Sequence, residues 1–127
     1  MEDERYKRGI AALRRANEEG MKELIRSTKT VAPDLARYVI EFAYGDIYTR
    51  PGLVPKQREL CIVAALTALG SRQDQLRDHI QAALNIGGSP EELIETILMM
   101  AVYAGFPAAI NAMKIASEVL RHQASKN

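Results

Sequence analysis

The feature that most constrains the fold is an apolar segment from Leu60 to Leu69, in which Thr67 is the only polar side chain. A helix that is apolar on every side belongs inside a protein or an oligomer, because an exposed face would leave apolar surface in water. The segment is part of a longer stretch, Leu53 to Leu84, which predicts two helices joined at Gly70 and Ser71. The remainder of the chain, or neighbouring subunits, must therefore cover the first of these helices.

Groups that can move protons or hold anions lie at the ends of this stretch. Arg58, Glu59 and Cys61 fall at the start of the first helix, and His79 falls on the second. A tight hairpin would fold the second helix back along the first. We therefore expect His79 to approach Glu59.

The other helices are predicted from periodicity and from helix-ending residues. We expect one helix from Glu2 to about Asn17, ended by Gly20, and a short helical piece from Met21 to about Ser27. Pro33 suits the first turn of a further helix that runs to about Ile47. Its apolar residues at i, i+3, i+4 and i+7 spacing predict a core face, made of Leu35, Tyr38, Val39, Phe42 and Ala43.

The strongest local signal is the segment Ser89-Pro90-Glu91-Glu92, with serine as N-cap, proline at the first helical position and glutamate at the third. It opens a helix to about Tyr103, and Gly105-Phe106-Pro107 then turns the chain into a last helix that ends near His122. Valine and isoleucine never alternate with polar residues over a strand length. We predict an all-α fold of six or seven helices in a single domain, residues 1–127.

Composition excludes several classes of function. The net charge of +1 gives no field that would collect nucleic acid, and the longest apolar run is too short and interrupted to span a bilayer. A single cysteine excludes an internal disulfide and a CxxC pair, which fits a reducing compartment. Since the first residues lack the apolar segment of a signal peptide, we expect a cytoplasmic protein. The many alanines in its apolar helices favour close packing and a homo-oligomer.

The candidate site residues each have a plain structural interpretation as well. His79 can shuttle a proton near neutral pH, or it can be a surface or interface histidine; without a second His or Cys nearby we expect no metal. Glu59 is either a usable acid or base in an apolar setting or a carboxylate stabilised by the helix dipole. Arg50 and Arg58 suit a carboxylate ligand or an ion pair. Tyr44 can line a pocket with Tyr48, or the two rings can simply pack against each other.

Cys61 lies in the apolar segment, where a free cysteine usually behaves as a small inert hydrophobe. No phosphate-binding loop, nucleophile elbow or HExxH pattern occurs in the sequence. From the residues alone, the prediction is therefore a helical oligomer with an Arg/Glu/His site.

Two segments resemble a known family. Residues 42–53 read FAYGDIYTRPGL and are similar to the Tyr-x-x-Gly-Asp/Glu-Ile-x-Thr-Arg-Pro-Gly-Leu segment of the carboxymuconolactone decarboxylase family. Residues 76–120 resemble the same family in its histidine helix, its glycine turn, its Glu-rich helix start and its Tyr-x-Gly-x-Pro-Ala-Ala segment. The resemblance covers residues 35 to 120 without large gaps.

The resemblance implies an all-helical fold related to alkylhydroperoxidase D and a ring-like homo-oligomer, a trimer or often a hexamer. It also implies cofactor-free conversion of 4-carboxymuconolactone to 3-oxoadipate enol-lactone, a step of aromatic-compound catabolism. The electrons left by departing CO₂ can spread to the lactone carbonyl, so the substrate is its own electron sink. By this resemblance His79 donates a proton, Arg50 or Arg58 holds the remaining carboxylate, and Tyr44 and Glu59 orient the site.

Two alternatives stay open. The first is thiol-dependent peroxide reduction, as in the alkylhydroperoxidase D branch, which uses a Cys-x-x-Cys pair. By the resemblance, that pair falls here on Arg72 and Gln75, so this route is disfavoured. The family as a whole is nevertheless associated with peroxiredoxin activity. The second alternative is a non-catalytic, oligomeric binding module.

One residue also departs from the decarboxylase branch, which often has a small polar residue in place of Glu59. This leaves room for an acid–base reaction on a different small acid.

Overall fold

The computed structural model describes residues 3–126, and within that range every regular element is a helix. The elements are α1 (Glu4–Thr28), α2 (Pro33–Tyr38), a π-helix (Val39–Tyr48), α3 (Pro55–Leu69), α4 (Gln73–Asn85), α5 (Pro90–Tyr103) and α6 (Phe106–Ser125). The prediction of an all-α fold is confirmed. None of the described helices is both long enough and apolar enough to cross a membrane.

The helices form two compact units, one that ends at Pro55 and one that begins at Lys56. In the first unit, α1 and α2 both pack against the π-helix. In the second, α6 packs against both α4 and α5 around one apolar core. The buried residues of that core are Val63, Leu76, Ile80, Ala83, Leu93, Ile97, Ala109, Ala112, Ile115, Ala116 and Val119.

The predicted division of the α1 region into two helical pieces is confirmed, but the break lies at Asn17, where the first piece was expected to end, and not at Gly20. Helix α1 runs on to Thr28 and is kinked at Asn17, whose φ of −160° and ψ of 89° are not helical. The Asn17 side chain accepts a hydrogen bond of 2.9 Å from the Gly20 amide, as an N-cap does for a new helical turn. The predicted piece at Met21–Ser27 is thus the second half of α1, and the predicted start at Glu2 lies outside the described residues.

The predicted core face of the helix from Pro33 to Ile47 is also wrong for this chain. Leu35, Tyr38 and Phe42 are each more than half exposed, Ala43 is exposed, and Val39 is only half-buried. The prediction assumed α-helical periodicity, whereas the widened turn of a π-helix keeps residues four apart on one side. The buried side chains follow that spacing: Ala36, Ile40, Tyr44 and Tyr48.

Helix α3 buries one stripe only. Glu59, Val63 and Thr67 are its buried residues, while Cys61 and Leu69 are exposed. The described residues of one chain therefore do not cover the apolar segment on all sides. The other faces of α3 leave apolar side chains exposed, among them Leu69.

The start of α5 agrees with its sequence signal. Ser89 accepts from the Glu92 amide at 3.0 Å, and Glu92 accepts from the Ser89 amide at 2.9 Å, which is a complete capping box. The bond from the Ser89 amide, followed by the contact with Lys56, holds the pKa of the Glu92 carboxyl below its usual range. Glu92 thus contributes stability above the usual carboxyl pKa, and that contribution is lost as the pH falls through its own lowered pKa.

Close contact between α1 and the π-helix depends on two glycines. A Cβ atom at Gly9 would overlap the carbonyl oxygen of Ile40, and one at Gly45 would lie 2.5 Å from the carbonyl oxygen of Arg5. The same helices are joined by Arg5, whose Nη2 donates to Asp46 Oδ2 at 2.7 Å. That guanidinium holds the pKa of Asp46 below its usual range.

We expect Gly9→Ala to lower the free energy of unfolding by about 2–3 kcal/mol, because the new methyl group has to displace backbone. Gly52→Ala is the matched control, since a Cβ at Gly52 meets nothing within 4 Å, and it should change stability by less than about 0.5 kcal/mol. Urea unfolding of both variants measures the difference. Equal midpoints for Gly9→Ala and the wild type would contradict the close approach.

Candidate functional site

The second unit holds an imidazole–carboxylate pair built by helices α3 and α4. Gly70, at a φ of +85°, follows the end of α3, and a short turn leads into α4. The His79 Nδ1 atom lies 2.8 Å from Glu59 Oε1. The expected approach of His79 to Glu59 is confirmed.

The two members of the pair differ in their access to solvent. The Glu59 side chain is 0% exposed, whereas the His79 side chain is 22% exposed. A buried carboxylate is costly unless a partner compensates it, and the imidazole is the partner that the structure supplies. The pair therefore joins a secluded acceptor to a ring that reaches the surface.

One oxygen of the buried carboxylate has no partner within residues 3–126. Glu59 Oε2 is buried and makes no hydrogen bond there, while Oε1 contacts the imidazole. A buried acceptor without a partner is unfavourable for folding, so this oxygen is a candidate contact for a ligand or a water molecule. The sequence did not reveal this, because it does not show which carboxylate oxygen finds a partner.

The ring geometry fixes what His79 can do. When Nδ1 donates to Glu59, the carboxylate selects the tautomer and leaves Nε2 as the atom that can meet a ligand. No hydrogen bond to Nε2 occurs within the described part of the chain. The carboxylate also balances the positive charge when the ring carries two protons. Nε2 can then deliver a proton to a bound molecule and take one back.

The other predicted site residues divide between the two units. Arg58 precedes Glu59 on α3 and is half-buried. Arg50 and Tyr44 belong to the first unit, where Arg50 is exposed and its amide donates to the Ile47 carbonyl at 3.1 Å. Their proposed contacts with a ligand stay predictions.

Tyr44 and Tyr48 pack against each other. Their ring centroids are 5.0 Å apart with an interplanar angle of 40°, and both residues are buried. This is the tilted arrangement that aromatic pairs favour in cores. Of the two interpretations given for these tyrosines, the geometry supports packing.

The described residues contain neither a pair of cysteines nor a cluster of metal-binding side chains. Cys61 is the only cysteine of the sequence, so the chain has no dithiol pair. Within residues 3–126, no three His, Cys, Asp or Glu side chains are grouped so that they could hold a metal ion.

The chain is similar to a known family and to named decarboxylases. The model of the carboxymuconolactone decarboxylase family matches residues 33–118. A 4-carboxymuconolactone decarboxylase of Acinetobacter baylyi is 38% identical over 123 residues, which cover 94% of this chain and 90% of that protein. A nitrosuccinic acid decarboxylase of Metarhizium robertsii is 33% identical, covering 69% of this chain and 61% of that protein. A 15.0 kDa protein of Paracoccus denitrificans is 32% identical over 75% of this chain and 72% of its own length.

Proposed function

The chain belongs to the carboxymuconolactone decarboxylase family, and on that premise we propose that it is a carboxy-lyase that converts 4-carboxymuconolactone to 3-oxoadipate enol-lactone. The observation that carries the proposal is the 2.8 Å contact between His79 Nδ1 and the buried Glu59 carboxylate. Such a pair can supply a proton donor in a secluded place, which this reaction needs from the protein.

The reaction needs no external electron acceptor. The bond between the ring carbon and its carboxylate breaks, CO₂ leaves, and the electron pair passes through the ring double bond to the lactone carbonyl as a dienolate. Protonation at the carbon next to that carbonyl places the remaining double bond at the ring oxygen, which gives the enol-lactone. The protein has to stabilise the negative charge as it moves from the leaving carboxylate to the lactone carbonyl. It then has to protonate the carbon next to that carbonyl.

His79 is the proton donor in this scheme. Its Nε2–H gives the proton to the dienolate carbon, and the ring recovers a proton from solvent through its exposed edge. Glu59 accepts from Nδ1–H throughout, so it orients the ring and balances its charge. These are positions for a general acid and its orienting carboxylate.

Arginines would hold the carboxylate that stays on the product. Arg58 is next to Glu59 on α3, and Arg50 lies in residues 42–53, one of the two segments that resemble the family. A guanidinium binds a carboxylate through two parallel hydrogen bonds, which fixes the substrate's orientation.

The names of the relatives support the reaction class rather than one substrate. Nitrosuccinic acid, named for the Metarhizium relative, is a dicarboxylic acid with an electron-withdrawing nitro group beside one carboxyl. It shares with 4-carboxymuconolactone an internal electron sink and a second carboxylate. An acid of this type is the substrate class that the site suits.

The direct test is to incubate the purified protein with 4-carboxymuconolactone and to measure CO₂ release. Turnover with loss of the substrate carboxylate is the expected result, and nitrosuccinate serves as the alternative substrate. The absence of turnover on both acids would overturn the proposal. Consumption of peroxide with a dithiol reductant, and no CO₂, would favour the redox alternative instead.

The protein should act as a homo-oligomer, as a ring of three or six subunits. Side chains on α5 and α6 expose a large apolar surface, including Val102 at 75%, Tyr103 at 78% and Phe106 at 72%. Apolar surface of this extent on neighbouring helices is typical of a subunit interface.

We expect the pair of changes Val102→Glu and Phe106→Glu to convert the assembly to monomers, because charges would replace apolar contacts between subunits. Light scattering coupled to gel filtration measures the mass. Lys22→Glu, a charge change at an exposed position on α1, should keep the assembly of the wild type. A wild type that is monomeric at micromolar concentration would contradict the proposed ring.

A further inference from the structure

Helix α4 carries His79 on one side and polar contacts with α6 on the other. Arg77 Nη2 donates to Glu118 Oε2 at 2.9 Å. One turn later, Gln81 Nε2 donates to Gln123 Oε1 at 3.2 Å. An α-helix turns by about 100° per residue, so Arg77 and Gln81, each two positions from His79, point to nearly the opposite side of α4. The contacts with α6 therefore lie away from the imidazole.

The buried residues of α4 lie between these two edges. Leu76, Ile80 and Ala83 belong to the apolar core of the unit. Apolar contacts are not directional, so they hold α4 against the core but constrain its rotation less closely than hydrogen bonds do. Hydrogen bonds depend on both distance and angle. The two contacts with α6 can therefore fix how α4 is turned about its own axis.

This rotation matters because the contact of His79 has little tolerance. An atom near the outer radius of a helix, about 5–6 Å from the axis, moves by about 1 Å when the helix rotates by about 10°. The His79 Nδ1 atom lies 2.8 Å from Glu59 Oε1, and such bonds extend only to about 3.2 Å. A rotation of about 10° away from α3 would thus break the contact. Misplacement of a catalytic group by about 1 Å can lower a rate by about 10²-fold.

We propose that Arg77 and Gln81 are positioning residues for His79, which they orient by fixing the rotation of α4 against α6. Arg77 also lies 3.5 Å from Asp74, but that contact stays within α4. The effect on catalysis rests on the proposed decarboxylation, whereas the effect on the imidazole does not.

The tautomer of His79 reports the position of its ring without any substrate. Long-range proton–nitrogen NMR spectra of the full-length protein, recorded while the ring is neutral, show which ring nitrogen carries the proton. The wild type should carry it on Nδ1, as donation to Glu59 requires. Arg77→Met/Gln81→Met removes both contacts with α6 and keeps a similar helix propensity. Its ratio of Nδ1–H to Nε2–H tautomer should fall about three- to tenfold, the loss expected for one exposed ion pair and one hydrogen bond.

Two further variants locate the effect in the contact between the helices. Glu118→Met changes only α6 and leaves Arg77 beside Asp74, and it should reproduce part of the tautomer shift. Arg77→Lys can still meet Glu118, so its ratio should stay within about twofold of the wild type.

Arg26→Met is the matched control. It removes an exposed arginine from an ion pair within α1, where Arg26 Nη2 lies 2.6 Å from Glu23 Oε1. The substitution is of the same kind, but the pair does not join α4 to α6. Its tautomer ratio at His79 and its kcat should equal those of the wild type.

The rate of CO₂ release links the ring position to the reaction. Arg77→Met/Gln81→Met should lower kcat about three- to tenfold with little change in KM, since the arginines proposed to hold the substrate lie outside α4. A wild-type tautomer ratio in this variant, even with a lower unfolding temperature, would overturn the proposal, because the contacts would then serve stability alone. A wild type with its proton on Nε2 would overturn it as well. A tautomer shift in a protein that releases no CO₂ would support the positioning and count against the decarboxylation.

Discussion

His79→Ala should lower kcat for decarboxylation of 4-carboxymuconolactone by about 10²- to 10⁴-fold, the contribution of a positioned general acid. The reason is that Nε2 is the proton donor of the proposed mechanism, and no other imidazole lies on α3 or α4. The measurement is the steady-state rate of CO₂ release. KM should change much less than kcat, because the imidazole acts on the dienolate and not on the bound ground state.

His122→Ala is the matched control for this variant. His122 is the other histidine of the chain, and it lies exposed near the end of α6. Its removal should leave kcat within about twofold of the wild type, a difference small on the scale of catalytic effects. Equal losses in the two variants, or a fully active His79→Ala, would show that the imidazole does not donate the proton.

Replacement of Glu59 should separate activity from stability. Glu59→Gln keeps the shape of the side chain but removes the charge that balances a doubly protonated ring, and it no longer selects the same tautomer. We expect kcat to fall about 10²-fold, as for other carboxylates that orient a catalytic histidine. Glu95→Gln, at an exposed position on α5, should retain wild-type activity.

Removal of the Glu59 carboxylate should lower activity but should not lower the stability of the fold. Glu59→Met replaces a fully buried carboxylate, with one unpaired oxygen, by an apolar side chain of similar length. Such replacements are often neutral or stabilising by about 1–4 kcal/mol, while the partly exposed His79 can be solvated instead. Urea unfolding measures the difference in the free energy of unfolding between Glu59→Met and the wild type. A large loss of stability in Glu59→Met would mean that the pair serves the fold and not the reaction.

The features that the sequence predicted are those that local chemistry determines. The capping box of Ser89 and Glu92 needs only residues three apart, and the structure confirms both of its bonds. The meeting of Glu59 and His79 followed from two helices and a short turn at Gly70, since a tight turn leaves an antiparallel return as the simplest path. The central geometry of the site was therefore within reach of the sequence.

The features that it missed depend on packing at a distance. The π-helix lies against α1 across Gly9 and Gly45, and its widened turn buries Ile40 and Tyr44 in place of the face that α-periodicity predicts. The kink of α1 fell at Asn17 because of one side-chain bond to Gly20, although both residues are poor helix formers. The sequence of an apolar helix such as α3 also does not show whether the residues that pack against it belong to the same chain or to another subunit.

The measurement that tests the account most directly is decarboxylation of 4-carboxymuconolactone in D₂O, followed by NMR of the enol-lactone at early times, before solvent exchange. Proton transfer from a fixed imidazole predicts one deuterium, in a single stereochemical position, at the carbon next to the lactone carbonyl. His79→Gln should lose both the rate and the stereochemical preference. Deuterium placed equally on both faces by the wild type would contradict the account, because the dienolate would then take its proton from water.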